Sequence, residues 1–96
     1  MQYNFAWDPK KARTNRRQHG VSFEEAVTVF LDPRMVSVYD ETHSEEEDRW
    51  ITVGMSAMGR LLVVCHTFRD EADEPPALRI FSARMATKRE GQDYER

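Results

Sequence analysis

Polar and apolar residues alternate through Gln2-Tyr3-Asn4-Phe5-Ala6-Trp7, the period of a short strand. A helix follows at once. Asp8 is a good N-cap acceptor, Pro9 suits the first helical position and Gly20 stands where a left-handed C-cap belongs, so the chain predicts a bounded helix over 9–19. Ser22-Phe23-Glu24-Glu25 is a capping box, with Val21 and Ala26 placed as a hydrophobic staple. Phe23, Ala26, Val27 and Phe30 then fall at i, i+3, i+4 and i+7, one apolar stripe that ends at Asp32-Pro33. From Met35 the period becomes two. Strands are expected over 35–39, over 50–56 with Ile51, Val53 and Met55 on one face, and over 61–69 after a turn at Ala57-Met58-Gly59-Arg60. An acidic loop ending in Pro75-Pro76 precedes a strand over 78–82, and a last helix is expected from about 84 to about 94.

The order is β-α-α-β-β-β-β-α, an α+β class in one domain over 1–96. Strands linked by short turns, with two N-terminal helices and one C-terminal helix, predict an antiparallel sheet covered by helices on one face. Composition agrees with a packed chain: 40% of residues are apolar, 32% are charged and ten are aromatic. The start of the chain lacks the basic flank and apolar stretch of a signal peptide, and nothing approaches the length of a membrane span. A cytoplasmic protein is therefore expected.

Charge alters the picture through its distribution. The net charge of −3 speaks against a generic nucleic-acid coat, yet residues 9–19 carry Lys10, Lys11, Arg13, Arg16 and Arg17 without one acid. Residues 75–89 carry Arg79, Arg84, Lys88 and Arg89, again without one. The acids gather in Asp40, Glu41, Glu45, Glu46, Glu47 and Asp48, and in Asp70, Glu71, Asp73 and Glu74. Such segregation can present a positive face to RNA despite the negative total. Arg60, His66, Arg69 and Arg79 interrupt the apolar pattern of the late strands and are candidates for a phosphate-binding sheet face. Metal chemistry has little support: the three histidines are more than 20 residues apart, and no paired-cysteine spacing exists. No cofactor is expected, and the lone Cys65, inside an apolar strand, reads as a structural thiol.

Phe5-Ala6-Trp7-Asp8-Pro9-Lys10-Lys11-Ala12, Asn15 and His19 to Ala26 closely resemble the amino-terminal signature of BrnT toxins. His43 with Glu47 and Arg49, Gly54-Met55-Ser56 with Gly59-Arg60, and Arg79 to Arg84 with Glu90 and Tyr94 resemble the family's later motifs in order. The resemblance implies a RelE-like fold and a ribonuclease that inhibits translation. It also implies neutralisation by a cognate BrnA-type antitoxin, in a two-plus-two complex that contacts DNA only through the antitoxin.

Metal-independent RNA cleavage needs a deprotonated 2′-hydroxyl, a stabilised phosphorane and a protonated leaving oxygen. Arginine suits the middle task, since its guanidinium grips two phosphate oxygens but transfers no proton at neutral pH. Arg79 and Arg84, five residues apart across an expected strand-to-helix junction with Ser82 as a cap, are the favoured stabilisers, and Arg69 joins them. Arg69 and Arg79 equally suit salt bridges to the acids of 70–74. His19 has a suitable intrinsic pKa but also suits a helix C-terminus, while Glu90 and Tyr94 share one face of the last helix. Arg13, Arg16, Arg17, Arg60 and Lys88 are expected to guide the RNA backbone. A chain of this pattern that had lost catalysis would survive as an antitoxin-binding corepressor, whereas direct DNA binding lacks a helix-turn-helix pattern.

Overall fold

The computed structural model describes residues 3–70 and 72–95, so Gln2 at the expected start of the first strand and Glu71 of the second acidic run lie outside the described residues. The elements run β1 (Asn4–Trp7), α1 (Pro9–His19), α2 (Phe23–Val27), β2 (Val36–Tyr39), β3 (Arg49–Met55), β4 (Leu61–Thr67), β5 (Ala77–Met85) and α3 (Lys88–Tyr94). Tight 3-10 turns occupy Thr28–Leu31 and Glu41–His43. The helix starts are set locally. The Asp8 carboxylate accepts from the Lys10 N–H, the Ser22 hydroxyl from the Glu25 N–H, and Gly20 closes α1 at φ 67°.

Among the described residues the five strands form one sheet in the order β1-β5-β4-β3-β2. It is mixed, not antiparallel as expected. β2, β3, β4 and β5 are joined in series and alternate in direction, but β1 lies parallel to β5, with Asn4 opposite Ala77 and Trp7 opposite Ile80. No hairpin ties β1 to β5, so α1, α2 and the meander are free to return β5 in β1's own direction.

One face carries the core. Phe23, Ala26, Val29 and Phe30 from α2 and its 3-10 extension pack on Leu62, Val64, Leu78, Ile80 and Ala83, with Tyr3, Phe5 and Trp7 at the flank. Each large apolar side chain buried there contributes about 2 kcal/mol. Gly54 lets the extension come close to β3, because a Cβ at that position would stand 2.7 Å from Val29 Cγ1. His66 is on this buried face at 2% exposure, not on the open face expected for it. It shares the side of Leu62 and Val64, four and two residues before it, and joins Thr52 and Ser37 in a hydrogen-bonded chain.

The last helix also departs from expectation. β5 continues through Arg84 and Met85, pairing Ala83 with Val64 and Arg84 with Val63, so Ser82 lies within the strand. Thr87 and Glu90 form the capping box that starts α3 at Lys88 instead of Arg84. α3 then crosses the opposite face: Gly91 meets Leu61, while Glu90 and Tyr94 share an apolar groove with Val36, Val38, Ile51 and Val53. The helices therefore divide between two faces. Among the described residues no helix is long and apolar enough to cross a membrane.

Asn15 joins α1 to the sheet. β1 pairs with β5 only as far as Ile80, and beyond that point the Asn15 amide supplies what a strand would. Its Nδ2 donates to the Ala83 carbonyl at 2.8 Å and to the Val21 carbonyl at 3.0 Å, while its Oδ1 accepts from the Ala83 N–H at 3.0 Å. This clamp holds α1 against β5 and fixes where its basic residues stand.

Candidate active site

The half of the second face not covered by α3 is where cations converge. Pairing of Cys65 with Ser82 and of His66 with Ile80 leaves Phe81 as an extra residue, a bulge in β5. Three elements bring a cation to its ring. The Arg49 guanidinium at the start of β3 lies 4.1 Å from the ring centre, Lys11 Nζ of α1 lies 5.3 Å away, and the Arg79 guanidinium of β5 lies 5.7 Å away. The negative face of the ring holds each by a cation–π attraction of about 0.5–2 kcal/mol, which partly offsets their mutual repulsion. Among the described residues, Arg49 Nε is the buried side-chain polar atom without a hydrogen-bond partner. That nitrogen is closed to solvent, so an anion can meet Arg49 only through its terminal nitrogens, one of which is 3.9 Å from Glu47 Oε1.

Two clefts flank this cluster. One, of about 290 Å³, is lined by Asn4, Glu47, Thr67, Arg69 and Arg79 among others. Thr67 Oγ1 accepts from the Arg79 N–H at 3.0 Å and sets the strand that carries that arginine. The other, of about 250 Å³, is lined by Lys11, Asn15, His19, Phe81 and Ser82 among others. His19, at the end of α1, thus reaches the cluster from one side and Glu47 from the other. Glu47 Oε1 is 3.9 Å from Arg49 Nη2.

The remaining candidates are placed elsewhere. Arg84 is on β5, not at the start of the last helix as the sequence suggested, and Glu90 holds it by two bonds of 2.8 Å. The Arg84 guanidinium, the main cause, and the Thr87 amide hold the Glu90 carboxyl at a pKa of about 2, which makes it a poor proton acceptor. The Tyr94 hydroxyl donates to Asp32, and that bond raises its pKa, so it is a poor proton donor at neutral pH. Both residues hold α3 in place. Arg60 is not on the open face either: it grips the buried Glu25, donates to the Gly20 carbonyl, and holds the Glu25 carboxyl below its usual range. Ser56 adds a third hydrogen bond to that carboxylate. Arg13, Arg16 and Arg17 are exposed on α1, and Lys88 is exposed on the first turn of α3. Arg69 bridges its backbone to Ala77 and lines the Arg79 cleft.

Lys11, Arg49, Glu47 and Phe81 are the residues that sequence reasoning left out of the site. A signal existed for one. Arg49 precedes Ile51 and Val53 at strand period, so it belongs to their face and not to the acidic loop before it. Among the described residues no group of three or more histidine, cysteine or carboxylate side chains is gathered as a metal ion would need.

A family model described as the ribonuclease toxin, BrnT, of type II toxin–antitoxin systems matches residues 7–90. Among solved structures the chain is similar to the ribonuclease toxin BrnT of Brucella abortus, at 24% identity and a TM-score of 0.60. That match covers 91% of this chain and 100% of the other, and it shows a shared fold. No curated protein sequence gives a match.

Proposed function

The chain belongs to the BrnT family of ribonuclease toxins of type II toxin–antitoxin systems, and from that premise we propose that it cleaves RNA on the open half of the sheet without a metal ion. The observation that carries this reading is the convergence of Lys11, Arg49 and Arg79 on Phe81. A phosphodiester placed beside the ring meets three positive charges from three elements. Arg49 and Arg79 can each present two parallel N–H donors to phosphate oxygens, and their fixed positions favour the extra charge of the phosphorane over the ground state. Arg69 extends the cationic surface along one cleft. His19 stands where a proton could reach the leaving oxygen. The exposed Arg13, Arg16 and Arg17 lead the RNA backbone along α1 toward the site.

In this reading the fold is RelE-like, the cell-level effect is a block of translation, and the toxin acts in the cytoplasm. The antitoxin is of BrnA type, covers the cationic half-face with an acidic or amphipathic segment in a two-plus-two complex, and makes the DNA contacts itself.

The test is incubation of the partner-free protein with total RNA in EDTA, beside Arg49→Ala and Arg79→Ala variants of verified fold. Cleavage by the wild type, reduced about 100- to 1,000-fold in each variant, is the expected result. Cleavage that survives both substitutions overturns the site. Intact RNA with the wild type, together with tight antitoxin binding, favours a corepressor that has lost catalysis.

A further inference from the structure

Arginine and lysine account for charge stabilisation but leave the first step of the reaction without a proton acceptor, and the candidates Glu90 and Tyr94 are held elsewhere. Glu90 is bound by Arg84 and by its own capping box, and Tyr94 is bound to Asp32. Glu47 is placed differently. It stands near the end of the acidic loop, two residues before Arg49, and its carboxylate, about half exposed, reaches the edge of the cation cluster. Among the described residues it is the carboxylate that lines the cleft containing Thr67 and Arg79. The other cleft, with His19 and Lys11, lies across Phe81.

We infer that Glu47 is the general base that removes the ribose 2′-hydroxyl proton. This inference rests on the ribonuclease reading above. With the phosphate bound by the cations beside Phe81, the preceding ribose is assigned to the Glu47 cleft and the leaving nucleotide to the His19 cleft. Glu47 takes the 2′-hydroxyl proton while that oxygen forms a bond to phosphorus. The bond from phosphorus to the 5′-oxygen then breaks, and this oxygen takes its proton from His19 or water. The products are a 2′,3′-cyclic phosphate and a 5′-hydroxyl, with the proton count conserved. A carboxylate is a weak base toward an alcohol, and the guanidiniums beside it lower the barrier by stabilising the alkoxide and phosphorane as they form.

The competing role for Glu47 is electrostatic shielding of Arg49, and the two roles give opposite results. The experiment measures single-turnover cleavage of an RNA oligonucleotide by the wild type, Glu47→Gln and Glu45→Gln, with binding followed on the same oligonucleotide carrying a 2′-deoxyribose at the scissile position. Glu45→Gln removes the same charge from the loop and should cleave like the wild type. Glu47→Gln is expected to lose about 100-fold or more in cleavage rate while binding the deoxy analogue as well as the wild type or better. In Glu47→Ala, added formate should restore part of the lost rate, which no structural or shielding role would produce. Glu47→Gln cleaving as fast as the wild type, or faster with tighter binding, overturns the inference and leaves the cationic site intact. A Glu47→Ala variant that folds, is slow and gains nothing from formate also overturns it. A wild type that cleaves no RNA removes the ribonuclease reading itself, and with it this step.

Discussion

On the core face, Ser37 of the exposed edge strand and the buried Thr52 and His66 pass hydrogen bonds from one strand to the next, and the His66 Nδ1–H ends the chain on the Thr67 carbonyl. On the opposite face Lys11, Arg49 and Arg79 crowd one phenylalanine ring, and a buried arginine nitrogen has no partner. One strand, β3, serves both. Since a strand points successive side chains to opposite faces, β3 places Thr52 in one environment and Arg49 in the other. Polar groups on the core face are matched to one another and serve the fold. The cations around Phe81 repel one another, so their arrangement costs stability that the covered face supplies.

The largest expected effect breaks this comparison at the cation cluster. The Arg49→Ala, Arg79→Ala double variant should lose at least about 1,000-fold in RNA cleavage while its thermal midpoint stays level or rises, because like charges are relieved. Cleavage assays and calorimetry on one preparation check both halves. A midpoint that falls by many degrees would mean that the cluster also serves the fold. Next comes Asn15. Asn15→Ala leaves the buried Ala83 N–H and carbonyl without their partners and should lower stability by about 3 kcal/mol, read from urea unfolding.

Acid should act through the covered face. Burial, only partly opposed by the Thr67 carbonyl, lowers the His66 pKa, so the folded state keeps the ring neutral while the unfolded chain protonates it near the ordinary value of about 6.5. The unfolded state then binds the extra proton, so stability should be constant above about pH 6.5 and fall as the pH drops below it. Unfolding midpoints measured between about pH 8 and about pH 5 for wild type and His66→Gln check this, and the variant should show the smaller decline. The smallest effect belongs to α1. Substitution of Arg13, Arg16 or Arg17 by alanine should leave the chemical step alone and reduce the slope of log affinity against log salt by about 0.7 for each phosphate that is no longer neutralised.

Most element boundaries were legible because the chain writes them locally. Asp8, Gly20 and Ser22 cap helices in the structure as their residue types predict, and Gly59 makes its turn at φ 76°. What escaped was non-local. The direction of β1 depends on a strand more than 60 residues away, and no pattern within Asn4–Trp7 encodes it. The length of β5 depends on Val63, Val64 and Asn15 pairing with residues that look like a helix start, although Thr87 and Glu90 were available as the true capping box. The candidate site was legible only in part. Arg79 carries a visible sign, a cation in an apolar strand, whereas Arg49 follows an acidic run and looks like its counterion until the sheet places it beside Phe81. Arg84 was prominent in sequence for a reason the structure makes structural, its grip on Glu90.

The clamp between Asn15 and Ala83 joins groups 68 residues apart, and Lys11 and Arg79 meet over Phe81 across a similar stretch. Contacts of that span close a long loop and form late in folding. A chain whose synthesis has not reached β5 has no Phe81, no Arg79 and no anchor for α1. The order in which the residues are made therefore keeps every partly synthesised copy without an assembled cation cluster, and leaves the interval after β5 emerges as the time in which a waiting partner must act.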